Sequence, residues 1–320
     1  MQRLGVLTSG GDAPGMNAAI RAIVRKAIYD HYDIYGIRYG FKGLAEGELG
    51  QMTIDDVGDL LAKGGTVLGT MRYPEFKNVA GQKLALENLQ RSQLDALIVI
   101  GGNGSLKGAH ALAAWDFPTV AIPATIDNDV PGTDIAIGFD TAVNTAIAAL
   151  DKIRDTASSH ERTFIVEVMG RHAGDIALWT GIGSGAEQVI IPEQAFNMQE
   201  VVQEIHSGRS RGKKHIIIIL AEGVMAAHEF KAQLEAYGNF HTRVSVLGHT
   251  QRGGSPSARD RVLASVFGYK AVELLSQGKS NVCQGLRQGE VVYQPLTEAL
   301  AQAEREPWMD LYDINNEISF

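Results

Sequence analysis

Thr125, Asp127 and Asp129 alternate through the segment T-I-D-N-D, directly behind a short apolar run at residues 120–122. A hydroxyl and two carboxylates so placed suit acid–base work: one carboxylate takes a proton while its neighbour orients a substrate or holds a cation. Earlier in the chain, the apolar run 97–100 stops at Gly101-Gly102 and continues through Asn103, Gly104 and Ser105 to Gly108. Glycines at such a stop let backbone amides approach a phosphate, and a helix starting there points its N-terminal amides at the same anion. A phosphate binder and an acid–base group would then be neighbours on one sheet edge.

A turn of the same style opens the chain. A strand at 4–8 runs into Ser9, Gly10, Gly11, Asp12, Ala13, Pro14 and Gly15, and helical spacing follows from Asn17. A dinucleotide fingerprint would need G-x-G-x-x-G and an acid closing the second strand. Here the glycines run G-G-x-x-x-G and the strand at 34–37 is followed by Arg38 and Tyr39, so a nicotinamide site is disfavoured. One glycine turn could merely reverse the chain, but two at strand-to-helix junctions point to phosphate.

Arginines accompany these turns: Arg72 in the glycine- and threonine-dense loop 64–74, Arg162, Arg171 behind the strand 163–169, Arg243 and Arg252. A guanidinium can clamp two phosphoryl oxygens, although spacing alone leaves a solvated surface arginine as the better reading of Arg72. Residues 209–215 form the one compact basic cluster, where a solvated face and an anion pocket both fit. His249 by itself reads as structural more readily than catalytic.

The elements that must position these groups alternate. Strands are expected at 4–8, 34–37, 97–100, 120–122, 163–169, 189–191, 216–220, in the segment 242–247 and at 290–293. Helices are expected from 17, at 55–62, 82–93, 138–156, 177–185, 199–207, 230–237, 257–277 and 297–305, and residues 39–43 read as a loop. Continuous apolar strands between helices mean parallel sheets covered on both faces. At 320 residues the chain exceeds one ordinary core. The expected fold is therefore α/β, two lobes, each a largely parallel sheet flanked by helices, with the chemistry in the cleft between them.

A net charge of -8 argues against nucleic acid as the partner, and the single Cys283 argues against a disulfide framework. No apolar run approaches about 18 residues, and the N-terminus enters a strand at once, so no membrane partner and a cytoplasmic location are expected.

There is no G-x-x-x-x-G-K-[ST] loop and no protein-kinase motif set, yet glycine turns, paired acids and arginines are what phosphoryl transfer requires. The motifs L-T-S-G-G-D-A-P-G-M-N-A-A-I-R, G-G-T-x-L-G-T-x-R-Y-P-E-F, T-I-D-N-D, R-D-T-A-S-S-H, V-M-G-R-x-x-G-D, A-E-G-V and L-G-H-x-Q-R-G-G-S-P, in that order, resemble the bacterial ATP-dependent 6-phosphofructokinases. The resemblance runs from Gly5 to about Arg305. It implies a phosphofructokinase-like, Rossmann-like three-layer fold, with residues 1–138 plus 251–305 binding ATP and residues 139–250 plus 306–320 binding fructose 6-phosphate.

It also implies roles. Asp127 would be the base for the sugar 1-hydroxyl, with Thr125 and Asp129 beside it, and Asp129 and Asn103 would hold Mg2+. Gly11, Arg72, Tyr73, Gly102, Asn103, Gly104, Ser105 and Gly108 would face ATP, and Arg171 would stabilise the transferring phosphoryl group. Met169, Gly170, Glu222, His249 and Arg252 would hold the sugar phosphate. Arg162 and Arg243 would reach a substrate in the neighbouring subunit of a homotetramer. Arg21, Arg25, Arg154, Gly185, Glu187, Arg211, Lys213 and Lys214 match an effector site for ADP and phosphoenolpyruvate.

Four positions depart from that pattern: Phe41 for a tyrosine, Ile54 for an arginine of the effector site, Ala124 for glycine, and Asn103 for a metal-holding aspartate. Asn103 leaves open a catalytically weakened variant or regulatory paralogue. A pyrophosphate-dependent phosphotransferase is the lesser alternative, because such relatives carry an acid at the position of Gly104 and a lysine at that of Ala124.

Overall fold

The computed structural model describes residues 2–160, 162–302 and 307–319. The chain divides into two units, Met1–Thr141 with Arg252–Arg305, and Ala142–Gln251 with Glu306–Phe320. The first unit holds β1 (Arg3–Ser9), α1 (Met16–Tyr29), β2 (Asp33–Ile37), α2 (Gly40–Glu46), β3 (Leu49–Gln51), α3 (Val79–Arg91), β4 (Ala96–Gly101), α4 (Asn103–Ala113) and β5 (Thr119–Pro123). The chain crosses over in the first turn of α5 (Phe139–His160). The second unit continues with β6 (Thr163–Val168), α6 (Asp175–Ser184), β7 (Gln188–Ile190), α7 (Met198–Ser210), β8 (Ile216–Ala221), α8 (Ala227–Glu235) and β9 (Arg243–Val246). The return to the first unit adds α9 (Ala258–Ser276), β10 (Val282–Arg287), β11 (Glu290–Pro295) and α10 (Leu296–Ala301), and α11 (Met309–Ile318) lies with the second unit.

The seven-stranded sheet of the first unit runs β11-β10-β5-β4-β1-β2-β3. Its middle is parallel, and only β2 with β3 and β10 with β11 pair antiparallel. All six residues of β4 are buried, which is why that run carries no polar alternation. Helices α2, α3, α4 and α10 close one core through Phe41, Leu44, Leu89, Leu106 and Leu296. Helix α1 packs so closely on α9 that a Cβ on Gly268 would lie 2.7 Å from the Ala19 carbonyl oxygen. From β1 the chain winds through α1 to β2 on one side, and from β4 through α4 to β5 on the other. The order therefore reverses between β1 and β4, the place where open α/β sheets bind ligands.

The second unit has a wholly parallel sheet, β7-β8-β6-β9. Its centre, β8, is buried throughout, and Val201, Ile205, Phe230 and Leu234 from α7 and α8 pack on it. Among the described residues no helix is long and apolar enough to cross a membrane.

Two expected elements change. Residues 39–43 are not a loop: Tyr39 takes left-handed backbone at φ 59° and launches α2, whose Phe41 and Leu44 face the core. The expected helix at 55–62 shrinks to a single 3₁₀ turn, Asp55–Val57, because Gly58 adopts extended backbone. Strands β3 and β10 and helix α11 were not expected. Residues 303–305 of the expected C-terminal helix lie outside the described residues, and α10 is complete by Ala301.

Candidate functional site

In the first unit, three neighbouring parallel strands, β1, β4 and β5, end side by side. Behind β1, Gly15 at φ 107° starts α1. Behind β4, Gly102 starts α4. Neither helix has a side-chain cap or an acid in its first turn; the start of α4 is accessible, with Gly104 exposed, whereas the first turn of α1 is buried and its Met16 amide donates to the Ala13 carbonyl. The glycines of the second turn serve different ends. A Cβ on Gly101 would lie 2.3 Å from the Ser9 carbonyl, whereas nothing stands within 4 Å of a Cβ on Gly104. Ser105 is buried with its hydroxyl donating to the Ser9 carbonyl at 2.9 Å, and the Phe41 ring lies 2.4 Å from where a Gly108 Cβ would be. Ser105 and Gly108 thus brace the turn, while Gly104 leaves it open.

The loop before Arg72 is stitched to β1 and α1. Asn17 Nδ2 donates to the carbonyls of Lys63 and Gly64, Asn17 Oδ1 accepts the Val67 amide at 2.7 Å, and Thr70 Oγ1 donates to the Gly10 carbonyl at 2.7 Å. Arg72 itself is exposed and Tyr73 half-buried.

Behind β5, the acid loop is fixed by its own side chains. Thr125 Oγ1 accepts the Asp127 amide at 3.2 Å, Asn128 sits in left-handed backbone at φ 56°, and its Oδ1 accepts the Ala136 amide at 2.9 Å. Asp127 is only 6% exposed. Arg252 ties this loop to the first glycine turn: Nη2 stands 3.9 Å from Asp127 Oδ1, and Nη1 donates to the Asp12 carbonyl at 3.3 Å. A Cβ on Gly11 would lie 2.6 Å from that same Nη1. Asn103 Nδ2 donates to the Asp129 carbonyl at 3.3 Å, joining the second glycine turn to the acids. Among the described residues, no three histidine, cysteine or acidic side chains converge as a metal cage.

Nearby, buried Asp260 accepts the Gly138 and Thr141 amides at 2.9 and 2.8 Å, fixing the start of α5. Burial pushes its carboxyl upward, against the pull of those donors.

In the second unit, the expected residues divide between opposite edges of one sheet. At the carboxyl edge lie Met169, Gly170 and Arg171 behind β6, with the Arg171 amide donating to Glu222 Oε1 at 2.9 Å behind β8. His249 is exposed in the 3₁₀ turn Gly248–Arg252 that follows β9. Arg162 and Arg243 lie at the amino edge, since Phe164 pairs with Arg243 where β6 and β9 begin. The sheet therefore does not bring these two arginines to the edge that carries Arg171.

The amino edge also carries the basic cluster. Lys213 Nζ pairs with Glu187 Oε1 at 3.2 Å and donates to the Ser319 carbonyl, while Glu187 Oε2 accepts the Ile217 amide at 2.8 Å. Arg154 donates to the carbonyls of Ser184 and Gly185, where α6 ends, and meets His215 Nε2 at 3.3 Å. A guanidinium only donates, so that imidazole nitrogen is an acceptor, and Nδ1 carries the proton towards Ser158 Oγ at 3.0 Å. Burial, then Arg154 and Lys213, hold the His215 pKa below its ordinary value against the pull of Glu187. Arg211 and Lys213 line a small surface cleft with Glu187, Gln188 and Glu204, and burial raises the Glu204 pKa. Lys214 is exposed. Arg21 and Arg25 belong to α1 of the first unit, half-buried and exposed, and Ile54 is 47% exposed. The sequence placed His215 in the basic cluster without a role of its own and gave none to Ser158 or Asn128. The run K-K-H before the strongest strand was the one available signal for the histidine.

Comparison with known proteins shows the family. The family model described as phosphofructokinase matches residues 3–275. A protein of Enterococcus faecalis named ATP-dependent 6-phosphofructokinase is 57% identical over 320 residues, all of both chains. One of the same name from Listeria monocytogenes is 58% identical over 302 residues, 94% of this chain and 95% of that one. The solved phosphofructokinase of Saccharomyces cerevisiae superposes with a TM-score of 0.88 at 36% identity, over 94% of this chain and 45% of that longer one. With a family match that takes in most of its length and full-length relatives above half identity, the chain belongs to the phosphofructokinase family.

Proposed function

We propose that this protein transfers the γ-phosphoryl group of ATP to the 1-hydroxyl of fructose 6-phosphate, the activity for which its curated relatives are named and the committing step of glycolysis. The observation that carries the reading is the side-by-side ending of β1, β4 and β5, which sets two uncapped helix N-termini beside the nearly buried Asp127. The amides at the start of α4 suit the triphosphate, and a nearly buried carboxylate suits a proton acceptor. In the reaction, Asp127 takes the proton of the 1-hydroxyl. That oxygen bonds to the γ-phosphorus as the bond from phosphorus to the bridging oxygen breaks, and ADP leaves with the electron pair. Arg72 and Arg171 offset charge on the transferring group, Arg252 offsets that of Asp127, and Met169, Glu222 and His249 hold the sugar.

The donor set fits magnesium, which takes one or two carboxylates together with substrate phosphates rather than a protein cage. Asp129 would hold it, with the Asn103 side-chain oxygen as a neutral neighbour. Bound there, it would neutralise charge on the triphosphate. The amino-edge cluster with Arg154, Glu187, Arg211 and Lys213 would take ADP or phosphoenolpyruvate as effectors. The position of Arg162 and Arg243 on that same edge supports service to a neighbouring subunit in a homotetramer. A cytoplasmic setting follows from the same reading.

A second reading, a weakly active regulatory paralogue, has one specific support: Asn103 is neutral where the resemblance expects an acid. Gly104 and Ala124 argue against pyrophosphate as donor. A coupled steady-state assay with fructose 6-phosphate and magnesium, comparing ATP with pyrophosphate and titrating ADP and phosphoenolpyruvate, separates the readings. Turnover with ATP of about 1 to 100 per second is expected. Retained nucleotide binding without turnover on either donor would favour the paralogue.

A further inference from the structure

After β6 the chain turns tightly through Met169 to Gly174 before entering α6. Two residues of this turn take left-handed backbone, Gly170 at φ 139° and Arg171 at φ 59°. An arginine persists there only when its surroundings hold it. Two acids do so. Behind β8, Glu222 Oε1 accepts the Arg171 amide at 2.9 Å, and behind β7, Glu193 Oε1 accepts the Gly174 amide at 2.8 Å. The sheet order β7-β8-β6 sets these strand ends next to the turn, so each end of it is pinned by a carboxylate from a different strand.

The residue types record the fit. A Cβ on Gly174 would lie 2.7 Å from Glu193 Oε2 and 2.7 Å from Ile191 Cβ, so glycine is required where the glutamate comes in. On the other side, a Cβ on Gly223 would lie 2.2 Å from the Arg171 carbonyl. Gly174 is also the N-cap of α6 and supplies no side-chain cap, so the Glu193 carboxylate adds favourable charge at that helix start.

We propose that Glu193 is a positioning residue for Arg171, anchoring the far end of the turn so that the guanidinium is presented in one place. The inference rests on the role given to Arg171 above. Charge stabilisation in a transition state falls steeply with displacement of the group that supplies it, so a loosened turn costs turnover before it costs binding.

Steady-state kinetics on the full chain test this. Glu193→Ala is expected to lower kcat about tenfold while the KM for ATP stays within about twofold. Glu193→Gln keeps an oxygen to accept the Gly174 amide and should retain most of kcat. The double variant Arg171→Ala/Glu193→Ala should be no slower than Arg171→Ala alone, because a positioning residue then has nothing to position. An unchanged kcat in Glu193→Ala, equal losses in the Ala and Gln variants, or additive losses in the double variant would each overturn the proposal. If Glu193→Ala does not fold, Glu193→Asp, one methylene shorter, carries the same comparison with Gln. Full turnover in Arg171→Ala would instead sink the role of Arg171 itself, so the two failures are told apart.

Discussion

The carboxyl edge of the seven-stranded sheet and the amino edge of the four-stranded sheet both suit anions, yet they are made of different material. The first is built from backbone: two helix starts without caps, glycines that leave room or allow close packing, and hydroxyl and amide side chains used as braces. The second is built from cations that already have partners, Lys213 on Glu187 and the Ser319 carbonyl, Arg154 on the end of α6. If the phosphates lie at the first edge as proposed, the start of α4 offers them donors fixed in place, which is what a transition state requires. At the second, Lys213 and Arg154 are engaged within the chain, while Lys214 is exposed.

The largest test of this contrast removes the acid that the backbone edge surrounds. Asp127→Asn keeps the shape of the loop but cannot accept a proton, and kcat is expected to fall by about a thousandfold or more. Nucleotide binding, followed by equilibrium titration, should survive because the amides that make it are untouched. A variant that keeps wild-type kcat would show that the base lies elsewhere.

Next in size is a pair of glycine substitutions on one turn. Gly101→Ala drives a methyl against the Ser9 carbonyl and the Ser105 hydroxyl, each 2.3 Å from the new Cβ, and is expected to cost about 1–3 kcal/mol, read as a lower Tm. Gly104→Ala meets nothing within 4 Å and replaces glycine inside α4, so its stability should change by no more than about 0.5 kcal/mol. If the open space over Gly104 is where phosphate lies, the same methyl raises the KM for ATP. A silent Gly104→Ala in both measurements would move the phosphate away from that turn.

Much of the backbone edge was legible because its signals are local. The buried run before Gly101, the two glycine turns and T-I-D-N-D each declare themselves within a few residues. What was not legible depends on distance along the chain. Arg252 reaches the Asp12 carbonyl across 240 positions, and Arg154 reaches His215 across 61. Strand β10 contains Gln284 and Gly285 and lacks a clear strand pattern. It forms because β5 and β11 pair with it and because Gly285 lets the Gly132 carbonyl approach within 2.2 Å of its missing Cβ. In the sequence Gly43 looks like loop punctuation, yet a Cβ there would lie 1.8 Å from the Arg38 carbonyl, a close approach that belongs to α2. Glycine punctuates turns in a sequence, but it marks close packing just as often in this fold.

The smallest test concerns pH and touches only the side-chain edge, since backbone amides do not titrate in the working range. His215 accepts from Arg154, so its neutral form is the one the fold selects, and burial with the neighbouring Arg154 and Lys213 lowers its pKa below 6.5. The unfolded chain therefore binds a proton more readily than the folded one in the window below the ordinary value. Stability is fully present above about pH 6.5 and is lost as pH falls through the lowered pKa. His215→Gln can place an acceptor near the Nε2 position for Arg154 but cannot take up the proton. Between pH 7.5 and 5.5 the wild-type Tm should drop more than that of the variant, by no more than about 2 °C because the site is partly exposed and screened. Added salt should shrink the difference. Equal drops would mean that the amino edge holds its cations without help from the imidazole, and the contrast between the two edges would then rest on Lys213 and Arg154 alone.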